Sequence, residues 1–293
     1  MSARIGLVTV LFNSATVLPG FFESLHKQDY HDYWLFILDN SLDDLSYNKA
    51  QELIAQYDVR NVTLIKNTDN VGIAAGNNQG IKLSLEMGCE YVLLLNNDIE
   101  FTDATLLRSM LDVAVTKNEK LIVPKIYYFG GRRIWCAGGE IMQYKGSTRH
   151  IGQDENDTGQ YDVDTHTNYA PTCFMLVHRS VFEAVGLMDE RYFVYFDDTD
   201  FVWRSNQNKF RIYYWAKGEV WHKVSTSTGG DFSPFTVYYL TRNRIYFVRK
   251  NFSYFWQLIS LSYFFMSMLR ERRPLAKKLR PRLFAGIVDG FKM

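Results

Sequence analysis

Four short, unbroken apolar runs punctuate the first third of the chain, at residues 5–12, 34–38, 62–65 and 91–95. Runs of that length bounded by polar residues are the pattern of strands covered on both faces in a parallel sheet. Between them the period changes. Leu18, Phe21, Phe22 and Leu25 fall at i, i+3, i+4 and i+7, and Ala50, Leu53, Ile54 and Tyr57 repeat that spacing, so each connection predicts an amphipathic helix. Pro19 fits only a first turn, which places the start of the first helix near it. Strand and helix in alternation, joined by right-handed crossovers, predict an open α/β sheet that binds its ligand at the carboxyl ends of the strands.

Those ends read Phe12-Asn13-Ser14, Asp39-Asn40-Ser41, Asn67 through Asn70-Val71-Gly72, and Asn96-Asn97-Asp98. Any one of them could simply cap the next helix. Four in succession, one ending in Asp after a fully apolar strand, point to a polar ligand site. Gly72, Gly76 and Gly80 share one face of a helix starting near Ile73. A face without side chains admits either a phosphate or tight packing on the sheet, and the spacing leaves both open. Asn70, Asn77 and Asn78 beside the glycines are not explained by packing. No G-x-G-x-x-G follows the first strand and no P-loop occurs, which disfavours a dinucleotide fold and a P-loop NTPase.

Residues 129–168 carry seven glycines and only brief apolar pieces, a composition suited to hairpins or a loop over a site. Asp197, Asp198 and Asp200 then fall within four residues, flanked by aromatics, at the head of a helical pattern. One could serve the positive end of that helix. Three together repel one another unless a cation, a proton or a hydroxyl substrate offsets the charge. His222 follows in Trp221-His222-Lys223.

Composition narrows the class. At 293 residues, 47% hydrophobic and 22% charged, with 6 Pro, the chain buries a globular core and is neither collagenous nor disordered. Cys89, Cys136 and Cys173 form no C-x-x-C pair, which argues against a disulfide framework or a structural zinc and for a reducing, cytoplasmic setting. The apolar run at residues 5–12 is too short for a secretory signal.

The net charge of +1 conceals a division. Residues 234–293 hold 12 Lys and Arg against 2 Asp and Glu, a net +10, which leaves 21 against 30, a net −9, over residues 1–233. Residues 251–269 carry no formal charge and could just span a bilayer, but four serines, Asn251, Gln257 and two tyrosines suit an interfacial amphipathic helix better. Residues 270–282 then contain seven basic residues and one acid, so an anionic membrane surface is the expected partner. A helical pair packed on the body, or a homodimer through this region, is the alternative. No nucleic-acid-binding motif accompanies the charge, and nucleic acid is not expected.

Taken in order, these segments resemble glycosyltransferase family 2, the inverting enzymes of the GT-A fold, and within it the rhamnosyltransferase-like branch of bacterial surface-polysaccharide and O-antigen synthesis. The matching pieces are residues 9–13, 38–41, 70–72 with 77–80, 94–98, 186–200 and 221–222, and they cover about residues 4–250. The resemblance implies a GT-A catalytic domain over residues 1–233, with a nucleotide-binding half (1–100) and an acceptor half (101–233). A C-terminal helical, membrane-associating region (234–293) would follow.

It also implies roles. Asp39 would accept from the nucleotide base, with Thr9, Val10 and Asn13 lining the nucleotide and Asn70, Gly72 and Asn77 near its ribose and diphosphate. Asn96, Asn97 and Asp98 occupy the D-x-D position, where Asp98 would bind Mg²⁺ or Mn²⁺ and Asn96 supplies one anionic ligand fewer than the strict pattern. His222 matches the third metal-site position. Asp197 and Asp198 align with the family's Glu-Asp pair, Asp198 as base and Asp197 as the neighbour that tunes it. The chemistry needs such groups: a cation offsets the charge left on the diphosphate, and one-step inversion requires a base on the opposite face. The expected reaction moves L-rhamnose from dTDP-rhamnose to a lipid-linked or oligosaccharide acceptor, peripherally at the cytoplasmic face of the inner membrane. A UDP-hexose donor, or a catalytically silent nucleotide-sugar-binding scaffold, is the alternative.

Overall fold

A computed structural model of the protein describes residues 4–223, 233–270 and 279–293. The chain opens with β1 (Ile5–Leu11), α1 (Leu18–His26), β2 (Tyr33–Asp39), α2 (Leu45–Gln56), β3 (Val62–Lys66), α3 (Ile73–Glu86) and β4 (Tyr91–Leu95). A two-residue β5 (Ile99–Glu100), α4 (Leu106–Thr116) and β6 (Leu121–Tyr128) follow. Next come the short strands β7 (Ile134–Cys136), β8 (Gly139–Met142), β9 (Ser147–His150) and β10 (Thr165–Thr167). β11 (Phe174–His178), α5 (Arg179–Val185), α6 (Asp197–Gln207) and β12 (Ile212–His222) complete the sheet, and α7 (Pro234–Asn251), α8 (Tyr254–Arg270) and α9 (Arg280–Lys292) end the chain.

The main sheet runs β10-β12-β6-β11-β4-β1-β2-β3, with β5 added to β12 and β7 to β6. β1, β2, β3 and β4 are mutually parallel, and β11 lies antiparallel between β4 and β6. The continuous apolar runs are explained by strand alternation. Leu7, Leu35, Ile37 and Leu93 enter the core beneath α1, α2 and α4, while Val8, Phe36, Leu38 and Leu94 enter the core beneath α3, α5 and α6. β8 and β9 pair with each other as a separate hairpin, so the glycine-rich stretch does form hairpins.

The glycines of α3 serve packing. A Cβ at Gly76 would come within 2.8 Å of Val10, and one at Gly80 within 2.4 Å of Val8, so the bare face of the helix lies on β1 and not on a phosphate. Gly72 alone reaches the cavity described below.

The C-terminal helices are fastened to the sheet domain and to each other. Gly286 and Gly290 let α9 press onto the backbone of α7, where added Cβ atoms would meet Tyr238 O at 2.8 Å and Arg242 O at 2.6 Å. Arg244 donates to Lys145 O in the β8–β9 turn, and Ser260 of α8 donates to Gln143 O. α8 buries Phe264 but exposes Tyr254, Phe255, Leu258, Phe265 and Met266. Among the described residues no helix is long and apolar enough to cross a membrane. Much of the basic run of residues 270–282, namely 271–278, lies outside the described residues.

Candidate active site

β2 leaves β1 on one side and β4 joins it on the other, so the chain reverses its direction of progress across the sheet at β1. Loops diverge at such a switch point and open a crevice at the carboxyl ends of the strands. Here the crevice encloses about 520 Å³. Val10, Asn70, Gly72, Asn96, Asn97, Asp98, Asp197, Asp198 and His222 all line it, although they come from five separate parts of the chain.

Asp98 and His222 meet because β5 pairs with the end of β12, with His222 opposite Ile99. His222 Nε2 lies 3.2 Å from Asp98 Oδ1 without the alignment that a hydrogen bond needs. Asp98 Oδ1 is thus buried with no hydrogen-bond partner, as is the other ring nitrogen of His222, Nδ1, and each costs free energy unless something else satisfies it. An oxygen and an imidazole nitrogen side by side suit Mn²⁺ or Mg²⁺ as a partial ligand set. Among the described residues no third His, Cys, Asp or Glu joins them, so substrate oxygens and water would complete the coordination. Asn97 turns away from that role and donates to Val10 O at 2.6 Å, which ties the loop after β4 to the end of β1.

The three clustered aspartates separate into three environments. Asp200 is fully buried and structural, bonded to Tyr192, Arg204 (2.7 Å), Lys250 (2.9 Å) and Asn251 (2.8 Å). Asp198 accepts from the Tyr169 hydroxyl at 2.7 Å through Oδ2, and from Thr199 N at 2.6 Å through Oδ1. Asp197 is buried, and burial, followed by the Asp198 charge, pushes its carboxyl up to about 8. Two adjacent carboxyls in a shared site resist double ionisation, so near neutral pH Asp197 keeps its proton. The segment leading into them is strained: Phe193, Tyr195 and Phe196 have φ of +61°, +63° and +66°. Such values in bulky residues cost about 1–3 kcal/mol each and persist only where the surroundings enforce them.

Four predicted residues lie outside the cavity lining. Thr9 shares its sheet face with Leu7 and Leu11, opposite to Val10, and is wholly buried. Asp39 is wholly buried as well; it accepts from Lys66 Nζ at 2.9 Å and from Ser41 N at 2.9 Å, one partner on each carboxylate oxygen. Asn77 is buried against Met188, 3.7 Å from its sulfur. Asn13 is exposed in a left-handed turn, its N–H donating to Ser41 Oγ. The sequence reading in turn missed Tyr169, whose hydroxyl holds Asp198, and Trp135, whose ring meets His222 edge-on at 4.6 Å. It also missed Phe235 and Leu240 of α7, which form one wall. Their aromatic and apolar character carries no signal of a site until the chain is folded.

An open, mainly parallel sheet flanked by helices, with carboxylates gathered at its switch point and further helices at its C-terminus, is the GT-A fold. Mannosyltransferase PcManGT from Pyrobaculum calidifontis, solved with GDP-Man and Mn²⁺, superposes at a TM-score of 0.62 with 10% identity over 100% of this chain and 87% of that one. S. aureus TarS 1-349 with UDP-GlcNAc superposes at 0.63 with 13% identity over 99% and 81%. Residues 7–186 match Glycosyl transferase family 2, and the chain belongs to that family. A curated relative, the low-salt glycan biosynthesis hexosyltransferase Agl10 of Haloferax volcanii, is 28% identical over 177 residues, 60% of this chain. The match spans 56% of that relative's length.

Proposed function

We propose that the protein transfers a glycosyl group from a nucleoside diphosphate sugar to a saccharide hydroxyl, with inversion at the anomeric carbon. The observation that carries this reading is the convergence of the Asp98–His222 pair and of Asp198 on one cavity. Asp98 and His222 would hold Mn²⁺ or Mg²⁺, which when bound offsets the charge left on the departing diphosphate. Val10, Asn70, Gly72 and Asn96 line the part of the cavity where nucleotide and diphosphate would sit. Asp198 takes the proton from the acceptor hydroxyl. Tyr169 and Thr199 fix the direction of its carboxyl group, and Asp197, held neutral beside it, adds no second negative charge.

Within this class the donor we favour is dTDP-rhamnose, on the likeness of residues 94–98 and 186–200 to the rhamnosyltransferase-like branch. A UDP-hexose is the second reading, favoured by the hexosyltransferase relative and by the UDP-GlcNAc bound in TarS. A lipid-linked or oligosaccharide acceptor at an anionic membrane surface fits the exposed apolar side chains of α8 and the net +10 of residues 234–293. A homodimer through the same helices is the competing use of that surface.

Nucleoside diphosphate release is the direct test, measured with dTDP-rhamnose, UDP-sugars and GDP-mannose, with Mn²⁺, Mg²⁺ or chelator, and with and without acceptor saccharide. Metal-dependent release that falls by at least about a hundredfold in Asp198→Asn is expected. Full rate in that variant would remove the base assignment. Nucleotide binding without release under any of these conditions would favour a scaffold.

A further inference from the structure

Three bulky residues held at positive φ, immediately ahead of the two aspartates, raise the question of what holds them. The answer lies in α7, some fifty residues further along the chain. Asn243 is completely buried, and its Nδ2 lies 2.9, 2.7 and 2.9 Å from the carbonyl oxygens of Tyr192, Val194 and Tyr195. Its Oδ1 accepts from Arg242 Nε at 2.8 Å, which fixes the way the amide faces. Arg242 Nη2 in turn donates to Arg191 O and Tyr192 O, at 2.8 and 3.0 Å. On the other side of the segment, Ile73 N donates to Phe193 O at 2.7 Å, and a Cβ at Gly72 would stand 2.5 Å from that oxygen. The strained segment is therefore gripped between α7 and the Gly72 wall of the cavity. Phe196, at its end, occupies the cap position of α6 with no capping side-chain hydrogen bond, and Asp197 and Asp198 follow directly.

We propose that Asn243 is a positioning residue for the base: through the carbonyls of residues 192–195 it sets where Asp197 and Asp198 stand, without itself lining the cavity. The inference rests on the transfer reaction proposed above. A buried amide here has a specific use. An apolar residue of the same size would strip the Val194 and Tyr195 carbonyls of this donor, leaving Tyr192 O to Arg242, and the segment would relax toward ordinary negative φ by moving the first turn of α6.

Asn243→Asp isolates the role, because it keeps the shape and the Arg242 partner while setting an oxygen against the three carbonyls. Transfer rate, donor KM and amide hydrogen exchange are measured on the full-length protein. The expected result is a kcat lower by about a hundredfold, the loss that misplacement by about 1 Å produces, with donor KM changed less than about twofold. Amides 193–199 should exchange at least about tenfold faster while those of β1, β2 and β4 keep their protection. Arg242→Met, which frees the amide to rotate, should move both readouts in the same direction by less, and it decides the matter if the Asp variant does not fold. Unchanged exchange at 193–199 overturns the clamp, whatever reaction the protein performs. Faster exchange with unchanged kcat overturns the positioning role. A wild type that turns over no donor would instead strike at the proposed reaction, and the exchange data would still decide the clamp.

Discussion

Replacing Asp197 by Asn should make the protein more resistant to unfolding, and increasingly so as the pH rises. In the unfolded chain this carboxyl ionises near its ordinary value of 3.8, whereas burial and the neighbouring Asp198 hold it protonated up to about 8 in the fold. Between those limits the native state binds one more proton than the unfolded state, so stability falls with pH at about 1.4 kcal/mol per unit. The sign follows from the raised native value: the contribution is complete below about pH 4 and gone above about pH 8. Asn has no proton to lose and lacks this slope. Between pH 5.5 and 7.5 the variant should therefore gain about 2.7 kcal/mol on the wild type, or roughly 4–5 °C in melting midpoint for a chain of this size. Thermal unfolding of both proteins without ligand, in half-unit steps of pH, reads the difference. Parallel curves, or a variant that loses ground as pH rises, would refute the reasoning. An Asp198→Asn background should shrink the divergence without abolishing it, because burial is the larger cause.

Two further outcomes test the fold and the surface. Gly80→Ala should destabilise the protein by about 1–3 kcal/mol in urea unfolding, since its Cβ would sit 2.4 Å from Val8 and α3 must lift from β1 to admit it. Phe255→Glu on the exposed face of α8 should lower binding to vesicles rich in phosphatidylglycerol by at least about tenfold, as expected for removing one inserted aromatic ring, while transfer to a soluble acceptor is unchanged. Undiminished vesicle binding by that variant would count against the membrane reading.

The doubly buried strands were the most legible part of the sequence. An apolar run at residues 91–95 is β4 to the residue, because both of its faces meet a core and no polar position interrupts it. β5, β7 and β10 are two or three residues long and left no pattern to read. Of the site, the clustered aspartates stand out by their spacing, whereas His222 is picked out only through the family resemblance; the cavity gathers Asp197, Asp198 and His222. The pleat and partners of Thr9 and Asp39 were not legible: one points to the sheet face opposite Val10, and the other accepts from Lys66. Tyr169 and Asn243 act on carboxylate and carbonyls 29 and about 50 residues away, a relation that no local pattern encodes. The charge division suggested a membrane-associating region over residues 234–293, and it carried no sign that α7 within that region also lines the cavity.

That wall has a consequence for the order of events during synthesis. The loop at residues 12–14 is synthesised long before α7, but the cavity that it helps to form lacks Phe235, Leu240 and the grip of Asn243 until α7 emerges. Domains fold largely as they are made, so a nascent chain can assemble β1 to β4 long before residues 193–198 are held in place. Under the transfer reaction proposed above, a stalled or prematurely released chain would then carry much of the crevice floor without a fixed base, and an activated sugar bound there would have no aligned partner to consume it.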